Sequence, residues 1–308
     1  MYHGIINIDK EKGYTSHDVV ARLRGILKQK KIGHTGTLDP DATGVLPVCL
    51  GVGTKLCDML TDRRKQYRAV LLLGVATDTE DISGAVLSER EVAVTEEQVR
   101  RTVLSFVGEY EQIPPMYSAI KVDGKKLYEL ARAGKTIERK PRHVEISEIV
   151  VEQISLPRVE MTISCSKGTY IRSLCRDIGD ALGCGGCMES LVRTQVGSFL
   201  LQDAVKLDTV EELVREGKIA DYVMPVEHTF LEYPAVKVQA DWEKPLKNGN
   251  PIHASGFVGW NPQAKQEQSW ARMEDVPVRV YDREGQFTGV YEFRKEKGLY
   301  FPQKMFLL

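Results

Sequence analysis

Residues 33–47 read Gly33-His34-Thr35-Gly36-Thr37-Leu38-Asp39-Pro40-Asp41-Ala42-Thr43-Gly44-Val45-Leu46-Pro47. Three glycines, three threonines and two prolines in fifteen positions exclude a regular helix and mark a loop. Pro40 biases Asp39 toward an extended backbone, and the glycines permit sharp turns and close approach of a second molecule. Asp39 is therefore predicted to be presented, not buried. An isolated Asp before Pro otherwise reads as a turn cap, so the meaning of this loop depends on its surroundings.

Outside the loop, strands and helices mix without a regular βαβ repeat, which predicts an α+β domain. Alternating apolar residues place strands at 4–8, 67–73 and 159–166. Helices are predicted from Ser16, as N-cap, to Lys30, and at 95–106, 125–133 and 170–182. The composition shifts near Pro225 to Pro234. Beyond it, short apolar runs at 235–238, 251–252, 276–281 and 287–293 are separated by Gly, Asn and Pro, which predicts a small all-β module.

A chain of 308 residues that is 42% hydrophobic can bury a substantial core and is expected to form two domains. No apolar stretch approaches the roughly 18 residues of a membrane span, and the N-terminus shows no secretory pattern, so a cytoplasmic protein is expected. Six scattered cysteines fit reduced thiols. Cys184-Gly185-Gly186-Cys187 has zinc or redox spacing without a second ligand pair, and no metal is expected there.

The net charge of −1 carries no global nucleic-acid footprint. Local counts differ: residues 20–68 hold ten basic against four acidic residues, and 118–143 hold eight, including Lys121, Lys125 and Lys126, against three. Either run alone reads as a solvated face. Both lie beside aromatics, Tyr67 and Tyr128, a combination suited to a polyanion that carries bases.

The run Lys31 to Val48 resembles the catalytic loop of the TruB family of tRNA pseudouridine synthases. Lys65-Gln66-Tyr67-Arg68, Pro114-Pro115-Met116-Tyr117-Ser118-Ala119, Ser166-Lys167-Gly168-Thr169-Tyr170-Ile171-Arg172-Ser173-Leu174 and Leu191-Val192-Arg193-Thr194 resemble the same family and fall in its order. Glu11 stands where the family's Asp-Lys-Pro-x-Gly has proline, a departure that bears on the first loop's shape. Leu246 to Ile252, then Val278 to Tyr281 with Gly285 and Gly289, resemble a PUA domain, an RNA-binding barrel.

The resemblance implies a catalytic domain over 1–230 built on a mixed, largely antiparallel sheet, with an RNA-gripping insertion at about 118–147, and a PUA-like barrel over 231–308. It implies isomerisation of the T-loop uridine at tRNA position 55, with tRNA as partner and neither guide RNA nor an obligate protein partner. Asp39 would be the nucleophile or base. Tyr67 would stack on the extruded base and accept the C5 proton, and Arg172 would pair with Asp39. His34, Tyr170 and Leu191 would border the flipped uracil, while Lys55, Lys125 and Lys126 would hold RNA. The reaction transfers no electrons and hydrolyses nothing, so no cofactor is expected.

Other readings are a non-catalytic RNA-binding protein on the same fold, and a phosphate-binding NTPase suggested by Gly51-Val52-Gly53-Thr54-Lys55. The reversed Thr-Lys order and the glycine spacing disfavour the second. Asp41 as the second carboxylate of a glycosidase-like pair is also disfavoured, and it is expected to cap the following turn.

Overall fold

A computed structural model describes residues 1–122, 124–260 and 273–307. Asp123, one of the acids counted above, lies outside the described residues, as do 261–272 and Leu308 of the C-terminal module. The main sheet runs, edge to edge, Val223–Met224, Gly4–Lys10, Thr43–Leu50, Gly186–Val196, Lys65–Leu73, Arg158–Cys165, Arg142–Ser155 and Gly108–Gln112, with two short strands attached. Gly186–Val196 lies parallel to Thr43–Leu50, and the other pairings along this path are antiparallel. The mixed, largely antiparallel α+β expectation holds.

The parallel junction sets the geometry of the centre. Arg193 is registered against Gly44 on one side and Tyr67 on the other. Gly44 has φ 102°, and a Cβ there would lie 2.3 Å from the Arg193 carbonyl oxygen, so only glycine permits the two strands to close. The loop that carries Asp39 enters the sheet immediately before this point.

The helix Ser16–Leu27 covers one face, burying Val19, Val20, Leu23 and Leu27 against Ile6, Ile8, Leu46 and Val48. The helix Ile171–Ala181 buries Ile171, Leu174 and Ile178 against Leu71, Met161 and Ile163. Each such side chain contributes about 1.5–3 kcal/mol relative to exposure. These contacts fix the height and angle of both helices on the sheet, and the second carries Arg172 in its first turn.

Three local expectations are corrected. The cap of the first helix is Thr15, not Ser16: the Thr15 hydroxyl accepts from Asp18 N at 3.1 Å and the Asp18 carboxylate accepts from Thr15 N at 2.8 Å. Ser16 is fully buried and its hydroxyl accepts from Leu38 N at 3.0 Å, which pins the Asp39 loop to the helix. The helix stops at Leu27 because Lys28 turns left-handed, at φ 50°. The basic helix predicted at 125–133 is split: Lys125–Lys126 pairs with Lys121–Val122 across a turn containing Gly124 at φ 80°, and the helix runs only Leu127–Arg132.

In the C-terminal region the described residues form a four-stranded sheet, Ala235–Lys237, Val278–Tyr281, Phe287–Arg294 and Leu299–Met305, with short helical turns at Ala240–Trp242, Glu243–Lys247 and Ala254–Gly256. The strand Leu299–Met305 goes beyond the expected runs, because Pro302 interrupts its pattern. Val290 and Phe306 of this region pack in one cluster with Ile5, Val45, Cys49, Leu56 and Phe230. The two parts of the chain thus share a hydrophobic core. Among the described residues no helix is long and apolar enough to cross a membrane.

Candidate active site

Asp39 leaves the loop between two anchors, Leu38 N on the Ser16 hydroxyl and Ala42 N donating to Asp39 O at 3.1 Å. Beneath the loop sits Lys10, fully buried at the inward end of the strand Gly4–Lys10. Its ammonium donates to the carbonyls of Tyr14 at 2.7 Å, Glu11 at 3.1 Å and Pro40 at 3.1 Å, and Gly13 N also donates to Pro40 O at 2.9 Å. Burial pushes the Lys10 amine down to about 8, against the opposing pull of Asp39. Glu11 does not disturb this arrangement: its backbone serves Lys10, and its carboxylate lies 3.6 Å from Lys206.

Arg172 meets Asp39 with two donors, Nε to Oδ2 at 2.9 Å and Nη2 to Oδ1 at 3.1 Å. The Arg172 side chain is buried, whereas 35% of the Asp39 side chain remains open to solvent. Arg172 is itself held from two more sides: Nη1 donates to Thr79 O at 3.0 Å and Nη2 to Tyr117 O at 2.9 Å, with Asp81 Oδ2 3.8 Å from Nε. A planar fork spread over one carboxylate and two carbonyls fixes the orientation of that carboxylate. Desolvation holds the Asp39 carboxyl above its ordinary value, with Arg172 opposing and Asp81 reinforcing the shift.

Tyr67 and Leu191 are both buried, in the cluster that contains Leu38 and Ile171. The guanidinium of Arg193, Tyr67's cross-strand partner, faces the Tyr67 hydroxyl and donates through Nε to Val45 O at 2.7 Å. Desolvation raises the Tyr67 pKa, and Arg193 works against that rise. Tyr170 stands at the start of the Arg172 helix, its backbone clamped by Gln112 through bonds of 2.7 and 2.9 Å. Desolvation also raises the Tyr170 phenol, and Asp39 and Arg172 are near enough to act on it. His34 packs edge-on to His17 at 5.0 Å between ring centres and accepts from Gly36 N at 3.3 Å through Nδ1. Burial lowers the pKa of the ring, with His17 adding to the shift and the backbone hydrogen bond with Gly36 opposing it.

Asp39, Tyr67, Arg172, Tyr170 and Leu191 are thus brought to one place, and His34 ends the short strand Ile32–His34 that leads into the Asp39 loop. Lys55 is not. It lies on the short helix Gly51–Leu56, and its ammonium donates to Met305 O at 2.8 Å in the C-terminal sheet. The Gly51–Lys55 run is a packed turn, not a phosphate cradle, since a Cβ on Gly53 would meet Gly4 O at 2.4 Å. Lys125 and Lys126 sit on the hairpin, with Lys126 5.3 Å from the Tyr128 ring centre. Asp41 makes an exposed pair with Lys12 at 3.8 Å instead of capping a turn.

Sequence reasoning missed Lys10, Asp81 and the roles of Arg193 and Glu80. Lys10 was legible: Ile6, Ile8 and Lys10 share one face of a strand whose first two members are core. Asp81 and Glu80 belong to an irregular turn whose contacts cross about ninety residues of sequence, and no local periodicity signals them.

Two family models match adjoining parts of this chain, the TruB family pseudouridylate synthase N-terminal domain over residues 24–171 and the tRNA pseudouridylate synthase B C-terminal domain over 172–230. The chain belongs to the TruB family. A tRNA pseudouridine synthase B of Lachnoclostridium phytofermentans is 54% identical to this TruB-family chain, covering 99% of it and 100% of the relative. That of Alkaliphilus oremlandii is 50% identical, over 83% and 85% respectively. Among solved structures, a Cbf5-Nop10-Gar1 complex shares the fold at a TM-score of 0.70 and 25% identity, covering 99% of this chain and 85% of that one.

Proposed function

We propose that this TruB-family chain is an isomerase that converts a T-loop uridine of tRNA, at position 55, to pseudouridine. It acts alone, on cytoplasmic tRNA, with neither guide RNA nor an obligate protein partner. The observation that carries the reading is the Asp39–Arg172 pair: a carboxylate gripped by two donors at 2.9 and 3.1 Å yet open to a ligand, beside a Tyr67–Leu191 wall.

The reaction breaks the bond between uracil N1 and ribose C1′ and forms one from C5 to C1′; N1 gains a proton and C5 loses one. A stacked uridine must first be extruded, which costs a few kcal/mol. Tyr67, Tyr170 and Leu191 supply flat and apolar surface that replaces the lost stacking and keeps the free uracil from water. Arg172 keeps Asp39 ionised and aimed as nucleophile or base. Tyr67, a protonated phenol facing the Arg193 cation, takes the C5 proton as it releases its own, so that the net transfer is the one that C5 loses and N1 gains. Lys125 and Lys126 hold RNA phosphates from the insertion, and residues 231–308 form a PUA-like RNA-binding module on the catalytic domain of residues 1–230. Incubating the protein with unmodified tRNA transcript and mapping pseudouridine at nucleotide resolution tests this reading. One new pseudouridine, in the T-loop, is expected; an unmodified T-loop overturns it.

A further inference from the structure

The segment from Gln112 to Ser118 leads from the sheet edge into the insertion, and three guanidinium groups hold its backbone. Arg176 Nη2 donates to Ile113 O at 3.2 Å, Arg139 Nη1 to Pro114 O at 2.9 Å, and Arg172 Nη2 to Tyr117 O at 2.9 Å. Arg139 belongs to the basic run assigned to RNA, yet its side chain is 22% exposed and turned inward. It is a structural member of the insertion, unlike its exposed neighbour Lys140.

Two of these arginines converge on Glu80. Arg176 Nη1 bonds Glu80 Oε1, and Arg139 Nη1 lies 3.9 Å from the same oxygen. The Ser173 hydroxyl donates to Oε2 at 2.6 Å. Glu80 is 6% exposed and adopts φ 65°, a left-handed conformation that a non-glycine residue keeps only where its surroundings over-determine it. Its neighbours on either side hold the catalytic arginine: Thr79 through its carbonyl at 3.0 Å, and Asp81 at 3.8 Å.

We infer that Glu80 is a positioning residue for the known reaction. Together with Arg139 it locks the 79–81 turn, and through that turn the aim of Arg172 on Asp39, so that the seating of the insertion and the chemistry are coupled. The inference rests on the reading of Asp39 and Arg172 as the catalytic pair. The buried carboxylate of Glu80 faces Arg176 and Arg139; without Arg139 it is left to Arg176, which is shared with Asp177, and without Glu80 the half-buried Arg139 loses its counter-charge in this network. The left-handed turn then loses what holds it, and the Thr79 carbonyl moves with it. A displacement of about 1 Å at a reacting group can cost on the order of a hundredfold in rate. Acting through Arg172, such a change lowers turnover without removing any group that touches RNA.

The test compares Arg139→Ala, Arg139→Lys, Glu80→Gln and the Arg139→Ala/Glu80→Gln double variant on tRNA transcript, with kcat and KM measured separately. Arg139→Ala is expected to lower kcat about tenfold with KM within about threefold, and Arg139→Lys to recover most of the activity. The double variant is expected to turn over no more slowly than Glu80→Gln alone, because the two residues act through one interaction. Arg139→Ala with raised KM and wild-type kcat makes Arg139 an RNA-binding residue and overturns the inference, as do effects that multiply in the double variant. If Glu80→Gln does not fold, the Arg139→Ala and Arg139→Lys pair decides the matter. An Asp39→Asn variant that still turns over instead refutes the underlying catalytic reading.

Discussion

Arg172→Lys keeps the positive charge but not the fork. The native guanidinium makes two bonds to Asp39, one to Thr79 O and one to Tyr117 O. A lysine ammonium has three donors radiating from one point and cannot span a carboxylate and two carbonyls on different segments. With three donors at most three of the four bonds could survive, and because the two carbonyls lie on different segments from Asp39 the expected loss is two. At roughly 1.5 kcal/mol for each bond to a charged group, the cost is about 3 kcal/mol. With about 1.36 kcal/mol per decade, this corresponds to roughly a hundredfold in kcat if the missing bonds aim Asp39 in the transition state. The assay is release of tritium from tRNA labelled at uridine C5, at saturating enzyme, so that binding does not enter. The fold should survive, since the charge facing Asp39 and Asp81 is retained. A folded Arg172→Lys variant within threefold of the native rate would refute the claim that bidentate geometry, and not merely charge, serves the reaction.

Further outcomes follow from the same geometry. Asp39 must be ionised to act, and desolvation raises its pKa, so kcat should fall with decreasing pH on a limb above the ordinary carboxylate value of 3.8. Asp81 contributes to that rise, so Asp81→Asn should move the limb to lower pH, and a limb that stays in place contradicts the assignment to Asp39. Lys125→Glu with Lys126→Glu should raise KM and flatten its dependence on salt, by roughly 0.7 to 0.9 in log–log slope for each phosphate no longer neutralised. An unchanged slope means that these lysines only face water. Removal of residues 231–308 uncovers Ile5, Leu56 and Phe230, which pack with Val290 and Phe306, so the fragment should unfold at lower urea than the full chain. Equal midpoints would show that the shared cluster contributes nothing to the catalytic domain.

The sequence carried most of what is local. Alternation at 67–73 and 159–166 marked the strands Lys65–Leu73 and Arg158–Cys165, the helix expected at 95–106 forms as Glu96–Leu104 behind a Thr95 cap, and the Gly, Thr and Pro around Asp39 marked its loop, while its role came from the family resemblance. What escaped is set by distance along the chain. Lys55 stands in a basic run of the sequence, and its hydrogen-bond partner, Met305 O, is 250 residues away. Arg139 belonged to a basic patch by count and to a buried network by geometry, because Glu80 lies across the fold. The split at Gly124 shows the converse case, a left-handed glycine that overrides the helical preference of the residues after it.

The central claim is that Asp39 performs chemistry, not recognition, and Asp39→Asn tests it most directly. The amide keeps the size and can still accept from Arg172, but it cannot attack or take a proton. Binding of tRNA by the folded variant, measured alongside pseudouridine formation on the same transcript, should show affinity within a few-fold of native and no detectable product. Residual turnover near the native rate, or a drop in binding that matches the drop in product, would contradict the account.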